Sequence, residues 1–130
     1  MAPKKSPRPS PRPRQKTSRQ RALLLCRACL DFKADDPVIL EVTRLTSVAD
    51  YFIIVSGRST RQVDAIADGL IAAIRSEGSR PLSLEGKEDG RWVVVDWGDV
   101  VVHVFYHPLR EFYDLEKLWG DAKSLKPPKP

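Results

Sequence analysis

Residues 92–119, WVVVDWGDVVVHVFYHPLREFYDLEKLW, contain most of the side chains in this sequence that could do chemistry. The segment has all three tryptophans, both histidines and five carboxylates, namely Asp96, Asp99, Glu111, Asp114 and Glu116. These side chains suit an active site, but aromatic residues beside charges also suit a surface that binds another macromolecule. Spacing must decide between the two interpretations because composition fits both.

The spacing of the carboxylates does not favour metal-assisted phosphoryl or nucleotidyl transfer. That chemistry needs two carboxylates on one face of a strand, two residues apart, to hold divalent ions. Asp96 and Asp99 are three residues apart and flank a predicted turn, and Asp64 and Asp68 are four apart on a predicted helix. We therefore expect no metal ion, no cofactor and no enzyme activity.

His103 is the strongest single candidate for a catalytic base. It shares a strand face with Val101 and Phe105, and no Cys or Ser stands beside it in a pattern that would activate a nucleophile. A lone His between apolar residues is more often a hydrogen-bonded core or interface residue than a base or a metal ligand. His107 precedes Pro108 and is expected only to end the strand.

Two short motifs elsewhere have structural explanations. The sequence VSGRST places hydroxyls between a strand and a helix, where phosphate often binds, but it has neither a Walker-type nor a dinucleotide-binding pattern. Its hydroxyls are expected to cap the helix. Cys26 and Cys29 form one CxxC inside an apolar helical pattern, so we expect buried thiols rather than a redox or zinc site.

The final predicted helix differs because apolar residues occur on more than one side of it. One side, expected to face the sheet, consists of Leu109, Phe112, Leu115 and Trp119. Tyr113 and Leu118 fall outside that stripe, among charged residues, and Trp92 begins its strand. Exposed aromatic residues rimmed by charges are typical of interface hot spots. A broad buried stripe would explain the pattern equally well.

Hydrophobic periodicity predicts the elements that position these residues. A helix over residues 18–32 precedes strands over residues 38–42 and 51–55. An amphipathic helix then begins at a capping box of Ser59 with Gln62 and ends at Gly78. The short extended piece RPLSLEG and the strands WVVVD and VVVHVFY follow, the last two joined by a turn at Gly98. A single helix from Pro108 completes a single-domain α/β sandwich with a mixed sheet.

The charges divide the chain into a basic arm, an acidic body and a short tail. Residues 1–21 contain eight basic residues, no acidic ones and five prolines, and they predict a disordered arm. Residues 22–121 carry 11 basic and 17 acidic residues and form the predicted domain, followed by a disordered tail over residues 122–130. This division suggests an arm that contacts phosphate and a body that meets a basic partner.

Nothing in the sequence predicts a membrane span, since no run of about eighteen apolar residues occurs. The Arg-rich, acid-free beginning has the composition of an organelle transit peptide, but its alternating prolines oppose the amphipathic helix that such peptides form. We therefore expect a cytoplasmic protein.

Four motifs resemble the ribosomal silencing factors, also called the Iojap family. They are ADYFIIVSGRSTRQVDAIAD, Glu85 with Gly86, WVVVDWGDVVVHVF and REFYDLEKLW, within a resemblance that covers residues 22–121. The sequence departs from the family at Gln62, where His is frequent. The Pro-rich arm lies outside the family pattern.

The resemblance implies a fold related to nucleotidyltransferases but without their catalytic carboxylates. It implies a translational repressor that binds the large ribosomal subunit through ribosomal protein uL fourteen and sterically blocks joining of the small subunit. A homodimer is compatible with the family. The acidic body suits such a partner, because ribosomal proteins are basic.

The resemblance also assigns partner-binding roles to five residues at matching motif positions. Trp92 and Tyr113 are the expected aromatic anchors, Arg110 and Glu116 the expected rim charges, and His103 the expected support of the patch. Two alternatives stay open, a nucleotidyltransferase-like enzyme suggested by fold kinship and a general RNA-binding protein acting through its basic arm. That arm could also add contacts with ribosomal RNA.

Overall fold

The computed structural model describes residues 17–129, so the predicted disorder of residues 1–16 lies outside the described residues. The described part contains α1 (Ser18–Asp31), β1 (Asp35–Glu41), β2 (Tyr51–Gly57), α2 (Thr60–Arg75), β3 (Ser83–Glu85), β4 (Trp92–Asp96), β5 (Val100–Tyr106), α3 (His107–Tyr113), α4 (Leu115–Leu118) and β6 (Lys123–Leu125). Among these residues no helix has the length and apolar character needed to cross a bilayer.

The strands form one mixed sheet in the order β3-β4-β5-β2-β1-β6. The central strands β2 and β5 are parallel, and every other neighbouring pair is antiparallel. The predicted α/β fold with a mixed sheet is therefore confirmed. Because β2 and β5 run in the same direction, their carboxyl ends meet at one edge of the sheet, where α3 begins.

Helices α1 and α2 cover one face of the sheet. Val93 and Val95 of β4 and Val102 and Val104 of β5 are fully buried on that face, since alternate strand residues point the same way. The helix α2 buries residues at helical spacing, namely Val63, Ile66, Ala67, Gly69, Leu70 and Ile74. Each large aliphatic side chain buried in this way stabilises the fold by about 1.5–3 kcal/mol.

The C-terminal segment covers part of the opposite face. Phe52 and Ile54 of β2, with Val101 and Phe105 of β5, form the floor of a second apolar cluster. A set of partly buried residues from α3, α4 and their flanks packs on it, including Leu109, Leu115, Trp119 and Ala122. Both faces of β2 and β5 are therefore covered, which explains why these strands are apolar throughout.

The prediction of one continuous C-terminal helix is wrong. Asp114 adopts a left-handed conformation, with φ of 47° and ψ of 59°, and separates α3 from α4. Its carboxylate accepts a hydrogen bond from the backbone amide of Lys117, so Asp114 caps α4. Phe112, predicted to face the sheet, is 76% exposed, whereas Leu115 and Trp119 beyond the break pack on the sheet. His107 begins α3 rather than merely ending β5.

Helical and strand residues occur beyond residues 22–121 at both ends. The helix α1 begins at Ser18, because the Thr17 hydroxyl accepts from the amide of Gln20 and the Gln20 side chain accepts from the amide of Thr17. Residues 18–21 are therefore helical, as the predicted helix over residues 18–32 requires. At the other end, β6 pairs with β1, with Leu125 opposite Ile39. Without β6, the strand β1 would leave its backbone groups unpaired at the edge of the sheet, and β6 forms hydrogen bonds with them. Composition alone did not predict this pairing.

Several local predictions are confirmed, one of them with a change of partner. The Ser59 hydroxyl accepts from the Gln62 amide at 3.0 Å, but the Gln62 side chain accepts from Arg58 at 2.7 Å rather than from Ser59. Gly98 has φ of 93°, and its amide donates to the Asp96 carboxylate at 2.7 Å, as the turn prediction required. The two cysteines of the CxxC are buried and unbridged.

Candidate functional site

The five predicted site residues converge on the second face of the sheet, where β4 begins and β5 ends. The antiparallel register places Trp92 opposite Phe105 and Val94 opposite His103. Since α3 follows β5 directly, it carries Arg110 and Tyr113 back over the same end of the sheet. Sequence spacing alone could not show this convergence, because it depends on the pairing of β4 with β5.

Four aromatic rings form a stack that leads from the core to solvent. Phe105 is fully buried and lies 4.8 Å from Trp92 between ring centroids, and Trp92 lies 4.8 Å from Tyr113. Tyr113 in turn meets Phe112 edge-on at 5.1 Å. We call Phe105, Trp92, Tyr113 and Phe112 the aromatic stack. Its outer members are Tyr113, which is 47% exposed, and Phe112.

Trp92 is half-buried, and its role as an aromatic anchor stays a prediction. It occupies the middle of the aromatic stack. The chain beside it is equally constrained, because Gly86 has φ of 88° and a Cβ there would overlap the carbonyl oxygen of Trp92. Glycine is required at this position both for the backbone conformation and for the close approach. This contact gives a physical reason for the Glu85 with Gly86 motif.

His103 is buried, with 9% exposure, and hydrogen-bonded, as expected. Its Nδ1 accepts from the indole Nε1 of Trp92 at 3.1 Å, and Phe52 meets its ring edge-on at 5.3 Å. Burial lowers the pKa of His103 to about 4, and the nearby Asp96 carboxylate only partly opposes the effect. The imidazole is therefore neutral at neutral pH and carries its proton on Nε2, which has no hydrogen-bond partner among the described residues.

Arg110, expected as a rim charge, is 8% exposed, and its role at an interface stays a prediction. Its guanidinium donates to the Ser56 hydroxyl at 2.9 Å and to the Glu116 carboxylate at 3.1 Å. It thereby joins α3 to the end of β2 and to α4. Glu116 retains a partly exposed side chain and can still act at a surface. A polar Ser56 at the end of an otherwise apolar strand was the sequence signal for this bond.

A cavity of about 350 Å³ opens between these helices and the start of β1. Its lining is strongly acidic and consists of Asp36, His107, Arg110, Glu111, Asp114 and Glu116. Sequence reasoning did not predict the contribution of Asp36, which lies far away along the chain. We define the candidate surface as the exposed side chains of Phe112 and Tyr113 together with this acidic cavity.

The other chemical candidates lie elsewhere and have structural partners. Asp96 holds the Gly98 turn, and Asp99 pairs with Arg21 at 3.1 Å, both at the opposite end of β4 and β5. Lys87 lies between Asp64 and Asp68, at 3.9 Å and 2.7 Å. Within residues 17–129, no group of three or more His, Cys, Asp or Glu side chains is arranged to hold a metal ion.

The whole described chain matches a known family. Residues 15–129 match the family model described as "Ribosomal silencing factor during starvation". A protein of Bacillus subtilis named ribosomal silencing factor RsfS is 47% identical over 95 residues, which are 73% of this chain and 80% of the relative. A relative of the same name from Halalkalibacterium halodurans is 45% identical over 103 residues, covering 79% and 88% of the two chains.

Solved structures agree with the sequence comparison. A crystal structure of a Chromobacterium violaceum protein superimposes with a TM-score of 0.78 at 36% identity, covering 88% of this chain and 91% of that one. The chloroplastic Iojap protein of Zea mays is 36% identical over 107 residues, which are only 46% of its length. The protein with this mixed sheet and aromatic stack belongs to the ribosomal silencing factor family.

Proposed function

We propose that this protein represses translation by binding the large ribosomal subunit through ribosomal protein uL fourteen and by blocking, sterically, the joining of the small subunit. Membership of the ribosomal silencing factor family carries the proposal. The family name describes silencing of ribosomes, and a protein that covers a docking face needs a binding surface rather than a reaction. We place this action in the cytoplasm.

The candidate surface supports a binding role. Tyr113 and Phe112 expose large rings beside a cavity lined by the carboxylates of Asp36, Glu111, Asp114 and Glu116. Exposed aromatic side chains dominate the affinity of many interfaces, and negative charge around them favours encounter with a basic protein. Ribosomal proteins are basic, so the charge of this surface suits the proposed partner.

The proposal is tested by sedimenting the full chain with separated large and small subunits. We expect the protein to sediment with large subunits and not with small ones, and to bind isolated uL fourteen. At saturation it should also keep a mixture of the two subunits from forming whole ribosomes. Equal affinity for both subunits and for unrelated RNA would favour a general RNA-binding protein, and normal joining at saturation would rule out the steric block.

The basic arm is proposed to add affinity for RNA without adding selectivity. Residues 1–16 contain six basic residues and no acidic one. Each phosphate contact contributes a slope of about 0.7–0.9 to the fall of log affinity with log salt concentration. A deletion should end at residue 16, because Thr17 caps α1. The truncated protein should bind large subunits with a weaker salt dependence, and loss of its selectivity over small subunits would contradict this role.

A further inference from the structure

The single polar atom of the Trp92 side chain is used inside the molecule. Its indole Nε1–H donates to Nδ1 of His103 at 3.1 Å, and its ring contacts Phe105 and Tyr113. Trp92 is therefore held by one hydrogen bond and by ring contacts with Phe105, Tyr113 and His103. Tyr113, the more exposed neighbour, lies against the indole, with 4.8 Å between the ring centroids.

We propose that His103 is a positioning residue of the candidate surface: by accepting the hydrogen bond from Trp92, it holds the indole in the orientation that supports Tyr113. This role rests on the proposed function, because it concerns the same surface. The hydrogen bond itself can be measured without a ribosome.

Packing fixes the acceptor in place. The His103 ring is met edge-on by Phe52 at 5.3 Å, and Phe52 is met edge-on by Trp119 at 5.1 Å. His103 also lies opposite Ile54 in the parallel register of β2 and β5. A neutral imidazole in this position offers an unprotonated Nδ1 at 3.1 Å from the indole nitrogen.

Removal of the His103 acceptor should disturb the aromatic stack rather than the hydrophobic core. A partly buried indole N–H without an acceptor is unfavourable, so we expect the Trp92 ring to turn toward water and recover a partner. Tyr113 would then lose the ring on which it rests. In the intact protein the indole N–H is not available to a partner, so Trp92 contributes to binding through the carbon atoms of its ring and through Tyr113.

Two variants of the full chain separate the hydrogen bond from the bulk of the side chain. His103→Asn keeps an acceptor oxygen near the position of Nδ1, whereas His103→Leu keeps apolar bulk without an acceptor. The indole N–H resonance of Trp92 in proton–nitrogen NMR spectra reports on the hydrogen bond and is identified by its absence in Trp92→Phe. Sedimentation with large subunits reports on binding.

We expect His103→Leu to move the indole N–H resonance of Trp92 and to speed the exchange of that proton with solvent. Large-subunit binding should weaken about tenfold, which is the upper end of what one neutral hydrogen bond contributes. His103→Asn should preserve the resonance and remain within about twofold of the wild-type affinity. Wild-type affinity in a His103→Leu protein whose indole resonance has moved would overturn the positioning role, and so would equal losses in both variants. A resonance that stays unmoved in folded His103→Leu would disprove the hydrogen bond, whereas a wild-type protein that binds no large subunit would refute the proposed function instead.

Discussion

Replacement of Tyr113 by alanine should weaken binding to the large subunit strongly while leaving the protein folded. Tyr113 is 47% exposed and contacts Trp92 at 4.8 Å and Phe112 at 5.1 Å between ring centroids. Each such aromatic pair contributes about 0.5–1.5 kcal/mol, so the substitution should lower the free energy of unfolding by about 1–3 kcal/mol. That loss is smaller than the 5–15 kcal/mol total typical of a domain.

Binding should weaken as well because the ring is expected to become fully buried against the partner. An interface hot spot costs about 2 kcal/mol or more when truncated to alanine, which corresponds to roughly a thirtyfold loss of affinity. The assay is a titration of large subunits with the full chain, followed by sedimentation. Tyr113→Phe should retain most of the affinity, because it keeps the ring.

Val48→Ala is the matched control for loss of an exposed apolar side chain. Val48 is 67% exposed in the loop between β1 and β2, away from the aromatic stack, so its replacement should leave binding unchanged. Circular dichroism and thermal melting must first show that each variant is folded. A folded Tyr113→Ala protein that binds large subunits and blocks subunit joining at wild-type concentrations would refute the assignment of the surface.

Three further predictions test the structure. Arg110→Ala should lower the free energy of unfolding by about 1–3 kcal/mol, since it leaves the buried Ser56 hydroxyl without its donor, and denaturant titration against the wild type measures this loss. Replacing Cys26 and Cys29 together by alanine should cost only about 1–2 kcal/mol of stability and leave ribosome binding intact; stoichiometric zinc in the purified wild type would contradict the structural role. The pKa of His103 falls from 6.5 to about 4 on folding, mainly through burial, so the native state binds its proton less readily than the unfolded state. Stability should therefore be complete above pH 6.5 and decline by about 3 kcal/mol as the pH falls to 4, and an unchanged slope in His103→Leu would show that another group is responsible.

The sequence predicts the elements of this fold well where periodicity is strong. The strands WVVVD and VVVHVFY lie where their runs of β-branched residues place them, and α2 has the predicted apolar face. The prediction of one continuous C-terminal helix was wrong because the spacing of its apolar residues continues past Asp114. An aspartate that can adopt a left-handed conformation and cap a new helix interrupts such a stripe without any proline or glycine.

The sequence predicted which residues belong to the candidate site but not how those residues are arranged in space. Trp92 and Tyr113 do lie together, yet the half-buried position of Trp92 follows from its register opposite Phe105. The burial of Arg110 depends on Ser56, which is distant along the chain and reaches α3 through the parallel pairing of β2 with β5. Contacts of this long-range kind are set by strand pairing, which local spacing does not encode.

The strand β6 anchors the C-terminal end of the segment that carries the candidate surface, and this anchoring bears on association kinetics. The helices α3 and α4 follow β5 without a linker and return to the sheet at β6, which pairs with β1. Both ends of this segment are therefore joined to the sheet, one at β5 and the other at β6, which lie on opposite sides of β2. A partner that docks on it meets a preorganised shape, so little conformational entropy is lost on binding and association should proceed in one kinetic phase, at a rate set by charge and diffusion.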